Sequence, residues 1–215
     1  MAGVGEASLV LGLISSVIAI VDGINQVYDA AANAEGLPEA FREVAGRLPI
    51  VQTILASARI HISAGDVDEG SCKAMQPVIT QCEQKAEKLG KLFKKVVPSD
   101  DASRGERYLM AVRTLGKGGK VESLMKGILQ DVQLLADNYG MRITSDLVKE
   151  LSNAIEDVSE IQPSVPDIEF QDTTFTNNNY GEGTQTISHV QGDQYLATGS
   201  SKMYNANTMT FGKVD

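Results

Sequence analysis

The sequence predicts an all-α helical bundle followed by an intrinsically disordered C-terminal tail that is able to form cross-β amyloid. Three observations predict it. The hydrophobic content is 42%, which is typical of a soluble globular chain. Apolar residues recur every three or four positions through most of the chain, and the composition changes sharply at Pro163-Ser164-Val165-Pro166. We therefore divide the chain into a helical domain over residues 1–160 and a linker with an amyloid motif over residues 161–215.

The first two amphipathic stripes predict long helices. The first helix begins at Leu37-Pro38-Glu39 with Pro38 in the first helical position, and Pro49 is expected to kink it. The second ends at Val96, shortly before Pro98. The stripes consist of Phe41, Val44, Leu48, Val51, Leu55, Ala58 and Ile62, and of Met75, Ile79, Cys82, Ala86, Leu89, Phe93 and Val96.

Three further stripes complete the bundle. Ser103 and Glu106 have the spacing of a capping box ahead of a short helix that ends at Gly116. The next helix begins at Val121 and stops before Gly140, and the last follows Thr144 or Ser145 as its cap. Short connections between such helices favour an antiparallel bundle. The apolar positions are Tyr108, Leu109, Val112 and Leu115, then Val121, Leu124, Ile128, Val132, Leu135 and Tyr139, then Leu147, Leu151, Ile155 and Val158.

The N-terminus is different because it has no charge from Ala7 to Val21. This run would be about 22 Å long as a helix, which is marginal for a membrane span. No Lys or Arg precedes it, so it lacks the basic region of a signal peptide. One interpretation is a central helix that is buried on all sides. The other is a helix that is sheltered at rest and enters a bilayer when released, with insertion carried by Leu9, Leu11, Leu13, Ile14, Val17, Ile18, Ile20 and Val21.

Composition and motifs argue against catalysis and against nucleic acid. The net charge of -9 repels phosphate backbones. Gly116-Lys117-Gly118-Gly119-Lys120 lacks the first Gly and the final Ser or Thr of a phosphate loop, so we interpret it as a basic turn between helices. His61 and His189 are too isolated to indicate a metal site. We expect no enzyme activity, no cofactor, no metal and no small-molecule substrate, and we expect Cys72 and Cys82 to be reduced core residues in the cytoplasm.

The tail has the composition of an amyloid-forming segment. It is rich in Thr, Asn, Gly and Gln with single aromatic residues, and between Glu182 and Thr210 only three residues are charged. The segments 192–198 and 201–207 align with an offset that matches Tyr195 to Tyr204. Polar-aromatic repeats of this kind are suited to stacked cross-β cores, although an ordinary disordered tail remains an alternative. The candidate amyloid residues are Ile187, Val190, Gln191, Gly192, Gln194, Tyr195, Ala197, Gly199, Tyr204, Asn205, Ala206 and Asn207.

Three segments carry a resemblance to a known family. The run from Leu11 to Val21 that leads into Tyr28, the segment Leu37–Phe41, and the segment Lys120–Leu129 resemble the fungal HeLo-like and SesA-type domains. These domains occur at the N-termini of NACHT-type NOD-like receptors and as separate cell-death effectors. The tail resembles the prion-forming motifs of such effectors. Val190-Gln191-Gly192 is similar to the core of the pseudopalindrome type, which is related to the RIP homotypic interaction motif, and a HET-S-type motif is the alternative.

The resemblance implies a function in programmed cell death and heterokaryon incompatibility. A NOD-like receptor with a matching motif would template the tail into an amyloid homo-oligomer, and the crowded bundles would release the N-terminal helix to permeabilise the plasma membrane. The expected partners are therefore the receptor, further copies of the chain and membrane lipids, with the protein cytoplasmic at rest. The alternatives are a non-lytic adaptor that its tail recruits to a receptor assembly, and a disordered linker left from a larger receptor. We expect the chain not to be the receptor itself, because no ATPase module follows the tail.

Overall fold

The described part of the chain is entirely helical. The computed structural model describes residues 3–31, 36–98, 101–138 and 144–170, and in these ranges it contains no β-strand. The chain divides into a compact unit over Met1–Asp172 and a second unit over Thr173–Asp215. The helices are α1 (Gly3–Asp29), α2 (Glu39–Ala64), α3 (Glu69–Val96), α4 (Asp101–Leu115), α5 (Val121–Asn138) and α6 (Ser145–Glu160), with short 3-10 helices at Lys117–Gly119 and Asp167–Phe170.

The apolar stripes form the core as predicted. Every residue of the first two stripes is buried, and so are Val121, Leu124, Ile128, Val132 and Leu135 of α5. The outer positions of the shorter helices are less covered: Leu109, Leu147 and Ile155 are half-buried, and Leu115 is exposed. Periodicity therefore identifies the inward faces of α2, α3 and α5, whereas in α4 and α6 only part of each predicted stripe is buried.

Two helix starts differ from the sequence prediction, and the start of α3 was not predicted. Pro38 precedes the first residue of α2 instead of occupying it, and α2 continues through Pro49. Helix α3 begins six positions before Met75, because the Asp68 side chain caps it by accepting a hydrogen bond from the Ser71 backbone N–H at 3.0 Å. Helix α4 begins at Asp101, so Ser103 lies inside its first turn.

Four helices form the ring that encloses the core. Helix α1 packs against α2 and α3, and α5 also packs against both α2 and α3, so that these four helices close a ring. Helix α6 lies against α2 and α5, and α4 packs on α3. The bundle is thus a four-helix ring with two additional helices, α4 and α6. The short, glycine-flanked third stripe of the sequence is α4, which does not belong to the ring.

An aromatic cluster fixes the direction of the helices. Phe41 contacts Phe93 with ring centroids 4.9 Å apart and Tyr108 at 5.0 Å, while Phe93 contacts Tyr28 at 6.1 Å. These rings lie near the C-termini of α1 and α3, near the N-terminus of α2 and in α4. Helices α1 and α3 therefore run toward this end of the bundle, which we call the aromatic end, and α2 runs away from it.

Candidate membrane-active helix and the segment that follows the bundle

Helix α1 is buried on one side only, which corrects the interpretation that it is covered all round. The inward stripe is Val10, Ile14, Val17, Val21 and Ile24, each 0% exposed. The exposed residues as far as Ala19 are uncharged, namely Gly5, Ser8, Leu9, Gly12, Ser15 and Ala19, whereas Asp22, Gln26 and Asp29 are exposed toward the C-terminus of the helix. A uniformly apolar run conceals this division, because the sequence shows no polar side from which a periodicity could be read.

The eight proposed insertion residues therefore fall into three classes. Ile14, Val17 and Val21 are core residues. Leu11, Leu13, Ile18 and Ile20 are half-buried where α1 meets its neighbours. Leu9 alone of the eight is exposed, at 53%.

The length and hydropathy of α1 meet the requirements for a membrane span. Within the stretch Gly5–Asp29, an 18-residue window has a mean hydropathy of 2.2, and 28% of that window is buried in the bundle. At the helical rise, the 27 residues of α1 extend about 40 Å, whereas the hydrocarbon core of a bilayer is about 30 Å thick. Length and hydropathy alone do not distinguish a spanning helix from a core helix, so the uncovered outer face is the more informative observation.

Polar contacts hold α1 near both of its ends. The Glu6 carboxylate accepts a hydrogen bond from the Gln76 amide of α3, and the Asp22 carboxylate accepts one from the Gln52 amide of α2. Asn25 also donates to the Gln52 side-chain oxygen at 3.4 Å. The uncharged centre of α1 is therefore held by packing, and its ends are held by side-chain hydrogen bonds.

The chain after α6 packs back onto the aromatic end. Its Ser164 backbone N–H donates to Glu122 at 3.0 Å and its hydroxyl donates to the same carboxylate at 2.6 Å. Tyr108 lies 2.6 Å from the Ser164 hydroxyl, and its phenolic oxygen accepts from the Val121 backbone N–H at 3.1 Å. Burial raises the pKa of Tyr108 to about 12. Val165 beside this network is 3% exposed, so the ordered chain continues beyond residue 160.

Basic side chains hold the next part of the same segment. The Asp167 carboxylate lies 2.8 Å from the Lys120 ammonium and 3.4 Å from that of Lys117, and Glu169 pairs with Arg113. Hydrogen bonds from the two lysines lower the pKa of Asp167. The segment 164–169, which leads toward the tail, is therefore held against the bundle near the start of α5. Sequence reasoning missed this contact, because its partners lie 42 to 56 positions apart.

The two cysteines and His61 occupy positions that are explained by the fold. Cys72 and Cys82 are free and buried, as predicted. Burial raises the pKa of both thiols, that of Cys82 to about 12. His61, in the last turn of α2, lies 3.1 Å from the carboxylate of Asp66. In the ranges that the structure describes, no three His, Cys, Asp or Glu side chains are grouped as metal ligands would be. The twelve candidate amyloid residues, His189, Tyr139 and Gly140 lie outside the described residues.

Comparison with protein families addresses the resemblance directly. Residues 14–135, more than half of the chain, match the SesA family, which is described as the N-terminal domain on NACHT NTPases and P-loop NTPases. The chain belongs to the SesA family. This confirms the SesA part of the resemblance and associates the SesA chain with NACHT NTPase signalling. No curated protein and no solved structure matches the chain.

Proposed function

We propose that this SesA protein is a programmed-cell-death effector that is cytoplasmic at rest. A NOD-like receptor with a matching motif templates the tail into amyloid, the helical domains are crowded together, and α1 leaves the bundle to permeabilise the plasma membrane. The single observation that supports this function best is the exposed face of α1 from Gly5 to Ala19, which carries no charged residue in a helix that is long enough to span a bilayer.

Different residues of α1 have different roles in insertion. Ile14, Val17 and Val21 exchange the protein core for lipid, so their burial free energy is largely retained. The uncharged run from Ala7 to Val21 is shorter than the bilayer core, and several inserted helices accommodate this mismatch by thinning the membrane locally. The hydrogen bonds of Glu6 and Asp22 with α3 and α2 are lost on release, which contributes to keeping the helix in place at rest.

The tail supplies the trigger in this proposal. Its low charge and its Gln-, Asn- and Tyr-containing repeats favour backbone pairing between chains over a compact monomer. The segment 164–169 connects the tail to the bundle through Glu122, Tyr108 and Lys120. Assembly of the tails therefore brings the bundles close to one another at their aromatic ends.

Dye release from liposomes tests this function. The full chain is added to vesicles with and without preformed fibrils of residues 164–215, and fibrils are expected to start release. Leu9→Arg is expected to reduce release without unfolding the bundle, because Leu9 is 53% exposed whereas an Arg inside the bilayer is unfavourable, by up to about 2.5 to 3.5 kcal/mol at the bilayer centre. Ile60→Arg is the matched control, since Ile60 is a 65% exposed apolar residue of α2.

A second candidate function is a non-lytic adaptor that its tail recruits to a receptor assembly. The five fully buried residues of α1 favour it, because they make α1 an integral part of the resting core. In that case seeded full chain joins the fibrils but releases no dye. Equal loss of release in the Leu9 and Ile60 variants would also contradict insertion by α1.

A further inference from the structure

A continuous shallow groove follows the contact between α1 and α3 on the outside of the bundle. Its first part is lined by Ser16, Ala19 and Ile20 of α1 and by Glu87, Gly90 and Lys91 of α3. Its second part is lined by Gln26 and Val27 of α1 and by the residues that directly follow the two helices, Ala30, Ala31, Val97 and Pro98. Gly23 and Lys94 belong to both parts, so one surface extends along the two helices toward the aromatic end. We call it the α1–α3 seam.

The seam is lined by uncharged residues on its α1 side and by a row of lysines on its α3 side. On the α3 side, the stretch from Lys88 to Lys95 contains four lysines and no acidic residue, and all four are exposed. Lys91 and Lys94 are the two that line the groove. The only acidic residue that lines it is Glu87, which lies 3.6 Å from Lys91 across one helical turn. Exposed pairs of this kind are weak, so both ammonium groups can reach a new anion.

This arrangement fits the interface of an anionic membrane. An apolar or small-residue face enters the boundary of headgroups and acyl chains, while flanking lysines extend their methylene stems and place their charges at the phosphates. Acidic lipids attract each such lysine. An acidic protein surface would satisfy the lysines as well, but it would leave the uncharged face of α1, including exposed Leu9, without a matching partner. The charge and the hydropathy of the seam together favour lipid.

We propose that the folded bundle docks on anionic lipid headgroups through the α1–α3 seam, with Lys91 and Lys94 as the headgroup-binding residues. The inference rests on the proposed function, because it names the lipid class that the membrane-active helix meets first. Docking lays α1 parallel to the bilayer surface before it inserts. It also directs the protein to the cytoplasmic leaflet, which is the leaflet that carries acidic lipids.

Cosedimentation of the full chain with vesicles tests the docking. Wild type is expected to bind vesicles of phosphatidylserine and phosphatidylcholine and not vesicles of phosphatidylcholine alone, and added salt weakens the binding. The double variant Lys91→Gln/Lys94→Gln is expected to bind about thirtyfold more weakly, because each lysine near a charged surface contributes about fivefold. The matched control is Arg59→Gln/Lys149→Gln, which removes the same charge at exposed positions of α2 and α6 outside the seam. Thermal unfolding confirms that all variants are folded.

The outcomes separate docking from insertion. Equal weakening by both double variants, or no preference of wild type for anionic vesicles, overturns the docking surface. Dye release that is equally fast from neutral and anionic vesicles also overturns it while leaving the proposed function intact. Selective loss of binding in the Lys91 and Lys94 variant supports the docking surface, and it does so even when fibril-treated protein releases no dye, a result that would contradict only the proposed function.

Discussion

Helices α1 and α3 lie side by side with the same direction and with nearly equal lengths of 27 and 28 residues, but their outer faces differ. Both direct a stripe of fully buried residues inward. Outward, α3 presents Lys88, Lys91 and Lys95, whereas the stretch of α1 before Asp22 presents only uncharged residues, namely Gly5, Ser8, Leu9, Gly12, Ser15 and Ala19. A soluble bundle requires the first kind of surface and does not require the second. The inner faces therefore explain the fold, and the outer face of α1 is the part that folding leaves unexplained.

The largest expected effect tests whether the two inner faces are equivalent. Ile14→Asp in α1 and Ile79→Asp in α3 each place a carboxylate at a position that is 0% exposed. Each is expected to lower the free energy of unfolding by about 4 kcal/mol or more, measured by urea denaturation. Leu9→Asp is the control and is expected to change it by less than about 0.5 kcal/mol. Near-native stability of the Ile14 variant alone would mean that α1 is not part of the core.

The next effect concerns the ion pair that joins α3 to α5. Lys85 crosses Gly127, where an added Cβ would lie 3.0 Å from its stem, and its ammonium lies 2.6 Å from the largely buried Asp131. Burial raises the pKa of Asp131, and the nearby ammonium opposes that rise. Lys85→Met leaves the carboxylate unpaired, so we expect a loss of about 2 kcal/mol at pH 7. Lys88→Met, on the exposed side of α3, is the control.

The sign of the pH dependence follows from the direction of that shift. A carboxyl whose folded pKa lies above its unfolded value binds protons more readily in the folded state, so its protonation stabilises the fold. Without Lys85 the pKa of Asp131 rises further. The deficit of the Lys85 variant is therefore expected to shrink as the pH falls through the raised pKa toward 3.8, as measured by urea denaturation at several pH values. A deficit that is the same at neutral and acidic pH would contradict this account.

The smallest expected effect concerns the contact between α1 and α3 at Gly90. A Cβ added at Gly90 would lie 3.5 Å from Ile20 Cγ2, an ordinary contact distance. Gly90→Ala is therefore expected to stabilise the fold by up to about 1 kcal/mol through helix propensity, whereas Gly90→Leu is expected to destabilise it by about 1 to 3 kcal/mol by separating α1 from α3. Gly105→Ala, in open space on α4, isolates the propensity effect. Equal gains for Ala and Leu at Gly90 would show that the helices are not packed there.

The sequence predicted what depends on local periodicity and missed what depends on distant partners. The stripes from Phe41 to Ile62 and from Met75 to Val96 identified the inward faces, because alternating polar and apolar residues mark them. The first turns of α3 were missed although Asp68 and Ser71 carry a capping signal, because of the residues from Glu69 to Ala74 only Cys72 is buried. The division of α1 into two faces could not be read from an apolar run. The contact of Ser164 with Glu122 depends on tertiary packing, which no local pattern encodes.

The central claim is that α1 moves from the bundle into lipid when the tail assembles, and a fluorophore at Leu9→Cys tests it most directly. Selective labelling is feasible because Cys72 and Cys82 are buried and their thiol pKa values are raised. With anionic vesicles and tail fibrils, we expect the residue 9 probe to become shielded from water and quenched by lipid-borne quenchers, while the same probe at Ile60→Cys remains in water. A residue 9 probe that stays in water while the full chain joins the fibrils would contradict the account.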